Sequence, residues 1–189
     1  LGAGPPPQEG PSAVLGVPYT QYARILSDYR AYFNPSSAQK LVGRFFFGLG
    51  LPYGNSEYMP YKKQFYSGGT TSLRGFPSRS VGPGSYDPPD SLDASSYFDQ
   101  TGDIKLELNL EYRFDLYRFL KGALFLDAGN IWLLNEDPGT PGGAFQFSEF
   151  LNQLAAGSGM GLRFDLSVLV LRLDVGFPLR KPWRTDGER

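Results

Sequence analysis

Cysteine and histidine are both missing from this chain of 189 residues. Without cysteine the chain can form no disulfide and has no thiol nucleophile, and without histidine it lacks the base of Ser–His and Cys–His catalytic pairs. The usual nitrogen and sulfur ligands of zinc are missing for the same reason. The composition therefore argues against the commonest hydrolase and metalloenzyme classes, and we predict a protein without catalytic residues, metal or cofactor.

Net charge and long apolar segments are also lacking. The formal net charge is -1, so the chain as a whole does not attract nucleic acid, and we predict no nucleic-acid partner. No apolar run reaches the roughly 18 residues of a membrane-spanning helix. The first residues, LGAGPPPQEG, contain neither the basic nor the apolar region of a signal peptide.

Aromatic residues, glycine and proline are abundant instead. The chain has 15 phenylalanines, 12 tyrosines, 24 glycines and 16 prolines, a composition that favours strands and turns over helices. In the segment DIKLELNLEYRF, polar or charged residues fall on one face and apolar residues on the other. The polar face comprises Lys105, Glu107, Asn109, Glu111 and Arg113. A period of two over this length predicts a strand with one wet and one apolar face.

Five further segments are interpreted as strands, near residues 19–33, 40–54, 119–134, 154–166 and 168–179. Short turns are predicted at 34–39, 115–118 and 166–167, and long loops at 53–101 and 134–151. Long loops at one end and short turns at the other are typical of a bacterial outer-membrane β-barrel. A soluble β-sandwich or adhesin is the alternative. In this chain, however, the charged residues occupy one whole face of the predicted strands and are not scattered over the surface.

The first long loop contains the segment FYSGGTTSLRGF, residues 65–76. It resembles part of the bacterial surface antigen family of BamA/TamA-like barrels, in the form found in Bacteroidetes. Further segments resemble the same family in the same order, from about Tyr19 to the end of the chain. They are GDIKLELNLEYRFDL, GALFLDAGNIW, AAGSGMGLRFDL and VLRLDVGFPLRKPW.

The resemblance implies an all-β fold, an antiparallel meander forming roughly six strands of a transmembrane barrel of about sixteen. We expect residues 1–18 to be an irregular loop and residues 19–189 to be the C-terminal part of the barrel. The family's POTRA domains, first strands and last strand would lie outside this chain. We therefore expect it to be a fragment that self-associates through open strand edges.

The resemblance also implies a role for Arg74, Gly75 and Phe76, which match the family's R-G-F/Y motif. In the family, a long outer loop folds back into the barrel lumen, and the motif arginine contacts an acidic and an aromatic residue on neighbouring strands. The matching partners are Glu111, Phe125 and Asp127. Gly68 and Gly69 would let the loop fold back sharply. A purely structural role, in which Arg74 only pins the loop, is the alternative.

The function implied by the resemblance is non-enzymatic. The protein would insert other proteins into the bacterial outer membrane or move them across it, in contact with lipids, client proteins and accessory envelope lipoproteins. A passive porin-like or receptor barrel and a soluble surface domain are the alternatives.

Two weaker site hypotheses come from acidic residues. Glu107 and Glu111 could imitate a glycosidase pair, but we interpret both as lining of the lumen. Asp87, Asp90 and Asp93 lie in the long loop and could bind calcium, although the spacing of an EF-hand is absent.

Overall fold

A computed structural model of the chain describes residues 13–14, 17–87, 100–166 and 168–184. Six long strands form one antiparallel sheet in which each strand pairs with the next along the chain. Their bounds are β3 (Tyr22–Ser36), β4 (Gln39–Pro52), β5 (Ile104–Tyr117), β6 (Leu120–Trp132), β7 (Ala155–Asp165) and β8 (Val170–Arg180). The predicted all-β meander of six strands is confirmed.

Two small strands precede this sheet. β1 (Ala13–Val14) pairs with β2 (Val17–Pro18) in antiparallel register. Part of the segment predicted to be irregular, residues 1–18, is therefore a short hairpin. The strand predicted to start near residue 19 begins instead at Tyr22 and continues to Ser36. The predicted turn at 115–118 is also shorter, because β5 extends to Tyr117.

The connections alternate in length, as predicted. Only two residues separate β3 from β4 and β5 from β6, whereas long connections follow β4 and β6. We call the described residues of the connection between β4 and β5, 53–87 and 100–103, the inward loop. The 3-10 turn Tyr61–Lys63 is the only helical element in these residues. No helix in the described part of the chain is long and apolar enough to cross a membrane.

The inward loop covers one face of the sheet, which we call the inner face. Isolated bridges join Phe65 to Gly102 and Ser67 to Val81, so the loop is folded against itself as well as against the strands. The opposite, outer face is open and aliphatic. It carries exposed leucines, among them Leu108, Leu126, Leu162 and Leu171.

The register of β5, β6 and β7 aligns inner-face residues in rows across the sheet. Glu111 pairs with Phe125, which pairs with Gly159. One row further, Asn109 pairs with Asp127, which pairs with Gly157. Because side chains alternate between faces along a strand, these rows bring two carboxylates and an aromatic ring under the loop.

Candidate functional site: the contact between the inward loop and the inner face

The inward loop reverses direction at two adjacent glycines. Gly68 and Gly69 have φ angles of 100° and 94°, a region that residues with a Cβ adopt only at a cost. A Cβ on Gly68 would collide with the carbonyl oxygen of Pro77. The N–H of Gly69 donates to the carbonyl of Phe76 at 3.0 Å, which closes the turn. This turn presents Arg74 to the inner face.

Arg74 binds Asp127 through three hydrogen bonds. Its Nε and Nη2 atoms donate to the two carboxylate oxygens of Asp127, both at 2.8 Å, and its backbone N–H donates to Oδ2 at 3.1 Å. The Asp127 side chain is 0% exposed and that of Arg74 is 7% exposed. A planar guanidinium paired with both oxygens of one carboxylate is among the strongest hydrogen-bonded ion pairs in proteins.

The third donor of the same guanidinium reaches the neighbouring strand. Nη1 of Arg74 donates to Oε2 of Glu111 at 2.5 Å. The guanidinium carbon lies 3.7 Å from the centre of the Phe125 ring, a cation–π contact. The structure therefore brings together all four residues that the motif analysis selected for this contact: Arg74, Glu111, Phe125 and Asp127.

Charge compensation explains why this buried arginine is tolerated. Burial has the largest influence on the pKa of Arg74 and would by itself lower it, but the hydrogen bonds and charges of Asp127 and Glu111 outweigh burial and raise the pKa. Arg74 is therefore cationic at neutral pH. Removing one member of such a buried pair leaves the other charge uncompensated, which costs about 3–5 kcal/mol.

Gly75 and Phe76 seat the tip of the loop on β7 and β8. A Cβ on Gly75 would lie 2.7 Å from the carbonyl oxygen of Phe177, so the backbone approaches β8 as closely as only glycine allows. Phe76 is buried with Leu73, Val81 and Ala155, the apolar core between loop and sheet. The ring of Trp183 packs edge-on against Phe76 at 6.0 Å.

Three arginines that the motif analysis did not select also surround Glu111. Arg113 Nε donates to Glu111 at 2.6 Å, Arg163 forms an ion pair with it, and Arg172 lies 3.9 Å away. Alternation predicts the inward position of all three, but only the strand register shows that they converge on Glu111. Glu111 thus keeps cationic neighbours whether or not Arg74 is docked.

Of the two weaker site hypotheses, the glycosidase pair finds no support and the calcium site stays a prediction. Glu107 and Glu111 are both buried and occupied by cations or hydroxyl groups, so they do not flank an open cleft. Asp90 and Asp93 of the calcium hypothesis lie outside the described residues. Within the described ranges, no group of three or more His, Cys, Asp or Glu side chains is arranged to hold a metal ion.

Comparisons with known proteins agree with this architecture. The chain is 25% identical over 152 residues to the outer membrane protein assembly factor BamA of Neisseria meningitidis serogroup B, a match that covers 71% of this chain and 18% of that protein. The chain thus spans about a fifth of the length of that curated relative. Its fold is similar to the crystal structure of BamA from Haemophilus ducreyi lacking POTRA domains 1–3, with a TM-score of 0.65 and 18% identity. That similarity covers 85% of this chain and 32% of the other.

The family is established by a match that runs almost the whole length of the sequence. Residues 12–189 match the model of the Omp85 superfamily domain. The matched segment includes all six long strands, the inward loop and the Arg74 contact. The chain belongs to the Omp85 superfamily.

Proposed function

We propose that this chain forms the membrane-embedded wall and inward loop of a bacterial outer-membrane protein that assembles or inserts other outer-membrane proteins. The Omp85 match and the similarity to an outer membrane protein assembly factor support this function. The proposed function is non-enzymatic. A strand of the client protein would pair through its backbone with a strand edge of the barrel, and this pairing needs no covalent step. Secretion of proteins across the membrane is the related function that the same barrel would serve.

The observation that carries the proposal is the docked loop. Arg74 is held by five contacts, with both oxygens of Asp127, with Glu111, and with the ring of Phe125. A loop fixed this firmly across the inner face occupies the space that a freely conducting pore would keep open. The geometry therefore favours an assembly or secretion barrel over a passive porin-like channel.

The partners follow from the two faces of the sheet. The aliphatic outer face, with exposed Leu108, Leu126 and Leu171, suits contact with outer-membrane lipids. Client outer-membrane proteins and accessory envelope lipoproteins are the proposed protein partners, and the bacterial outer membrane is the location.

The test is an Arg74→Ala variant of the intact protein, supplied as the cell's only copy. We expect the barrel itself to reach the outer membrane, while the amounts of other outer-membrane proteins fall, because undocking leaves Asp127 uncompensated at about 3–5 kcal/mol. Quantitative immunoblotting of outer-membrane fractions measures both. Lys62→Ala removes an exposed positive charge from the same loop and is the matched control.

Normal levels of client proteins in the Arg74→Ala strain would contradict the role of the docked loop. A second measurement separates the passive channel from the assembly factor. If the purified intact protein conducts ions freely in planar bilayers and does not speed insertion of a client barrel into vesicles, the channel function replaces the proposed one.

A further inference from the structure

A second buried carboxylate contacts the inward loop away from Arg74. Glu107 on β5 is 0% exposed. Its Oε1 atom accepts hydrogen bonds from the hydroxyl of Ser67, at 2.9 Å, and from the hydroxyl of Ser72. These serines flank the glycine turn, and both are buried. One carboxylate oxygen therefore ties together the two sides of the turn, which we call the neck of the loop, residues 65–72.

The neighbouring lysine extends this arrangement. Nζ of Lys105 lies 2.8 Å from Oε1 of Glu107 and donates to the backbone carbonyl of Tyr66 at 2.7 Å. The ring of Phe65 occupies the space above Gly48, where a Cβ would lie 2.6 Å from a ring carbon. Strands β4 and β5 thus hold the neck through polar contacts on one side and an aromatic ring on the other.

The neck and the tip of the loop are held by different acidic residues. Glu107 contacts the neck, whereas Asp127 and Glu111 contact Arg74 at the tip. Among the described side chains of the strands, Asn109 contacts both regions, since its Nδ2 atom donates to the Ser72 carbonyl at 2.8 Å and to Asp127 Oδ1 at 2.9 Å. Within the loop, the Gly69 N–H also joins the neck to the tip by donating to the Phe76 carbonyl at 3.0 Å. The carboxylate contacts of the tip can therefore be broken without removing the carboxylate that holds the neck.

We propose that Glu107 is a second positioning residue for the inward loop, which holds the neck in place independently of the Arg74 contact at the tip. This inference deepens the proposed function and rests on it where it concerns assembly. A loop anchored at its neck can undock and redock its tip without leaving the inner face, because the released segment is short and remains close to its partners.

A buried charge is needed here for geometry more than for stability. An apolar side chain of similar volume would avoid the desolvation that burying a carboxylate requires. It could not, however, accept two hydroxyl hydrogen bonds and pair with an ammonium group at the same time. Oε2 of Glu107 has no hydrogen-bond partner among the described residues, and Nη1 of Arg44 lies 3.7 Å from it. Glu107 therefore specifies the position of Ser67 and Ser72.

Hydrogen–deuterium exchange of the intact protein in lipid nanodiscs tests the inference, because neck and tip have different reporter amides. Gly68 N–H donates to the Ser72 hydroxyl at 3.1 Å, and Arg74 N–H donates to Asp127 at 3.1 Å. In Glu107→Leu we expect the Gly68 and Ser72 amides to exchange about 10- to 100-fold faster, and the Arg74 amide to change by less than about threefold. Arg74→Ala should give the reverse pattern.

Two further variants distinguish positioning from general destabilisation. Glu107→Gln keeps an acceptor oxygen for the two hydroxyls, so it should accelerate neck exchange less than Glu107→Leu does. Glu136→Gln changes an exposed acid and should leave both reporters unchanged. Two results would overturn the inference. In Glu107→Leu, exchange could accelerate equally at amides of the neck, the tip and the sheet, or it could stay unchanged at the neck.

The assembly assay then separates this inference from the proposed function. If Glu107→Leu accelerates exchange at the neck and the amounts of client proteins fall, the positioning role of Glu107 and the proposed assembly function both stand. If Glu107→Leu frees the neck and client levels are normal in both this variant and Arg74→Ala, the positioning role stands and the function proposed for the docked loop fails.

Discussion

The two faces of the sheet reverse the arrangement of a water-soluble protein. On the outer face, large aliphatic side chains such as Leu108, Leu126 and Leu171 are about half exposed, whereas on the inner face Glu107 and Asp127 are completely buried. In a soluble protein the fully buried residues are mostly apolar, and charged residues are almost never fully buried unless paired. The comparison fits the proposed contact of the outer face with lipid, and it shows that the buried charges of the inner face have partners in the inward loop.

Compensation of charge explains why the loop and the inner face require each other. Arg74 pairs with Asp127 and Glu111, and the serine hydroxyls of the neck reach Glu107. Without the loop, Asp127 would keep only the side-chain amide of Asn109 as a partner among the described residues, whereas Glu111 would keep the three arginines of β5, β7 and β8. The two carboxylates that hold Arg74 are therefore unequal anchors.

The largest expected effect tests this inequality. Asp127→Asn should weaken loop docking by about 3–5 kcal/mol, because it leaves the Arg74 guanidinium without its bidentate carboxylate. Glu111→Gln should weaken docking less, because Arg74 keeps both oxygens of Asp127. The exchange rate of the Arg74 amide in the intact protein measures docking in each variant.

Stability measurements should rank the same two variants differently. Glu111→Gln leaves Arg113, Arg163 and Arg172 without their common carboxylate, so it should lower the free energy of unfolding in lipid even though docking is less affected. If Glu111→Gln undocks Arg74 more than Asp127→Asn does, the two anchors have been ranked in the wrong order.

The outer face offers the next largest effect. Leu108→Arg places a charge against lipid and should lower the free energy of unfolding by about 2–4 kcal/mol if the site lies near the bilayer midplane. Asn135→Arg places the same side chain at an exposed position in the loop after β6 and should cost less than about 1 kcal/mol, as surface changes do. Reversible unfolding of the intact protein in vesicles compares them, and equal costs would show that the faces are wrongly assigned.

Much of this arrangement follows from local patterns in the sequence. The alternation in DIKLELNLEYRF predicts which side of β5 is polar, and the observed burial of Lys105, Glu107 and Glu111 follows it. The lengths of the connections predict a meander with long loops at one end. The resemblance of the R-G-F segment to its family selects Arg74 and its three contacts, which alternation alone could not have connected.

The remaining features depend on contacts between distant segments. The neck contact joins Glu107 to serines 35 and 40 residues away, and no local pattern indicates that pairing. Alternation also fails at the end of β6, where Asn130, Ile131 and Trp132 are all buried. There the outer face is covered as well, because Asn130 and Trp132, which share the face of Leu124 and Leu126, donate to the Gly84 carbonyl and to Gln153.

The smallest expected effect compares a glycine of the inward loop with a glycine of the outer face. Gly75→Ala should weaken docking of the tip by about 1–3 kcal/mol, because the added methyl group would lie 2.7 Å from the carbonyl oxygen of Phe177 and 2.9 Å from its carbon. Gly43→Ala should be neutral or stabilise the protein by up to about 1 kcal/mol, because nothing lies within 4 Å of the added Cβ and the unfolded chain loses entropy. Exchange of the Arg74 amide and unfolding in vesicles provide the two readouts. An undisturbed Arg74 amide in Gly75→Ala would mean that β8 can move away from the loop, and that the ion pairs of Arg74 hold the tip without the close backbone contact.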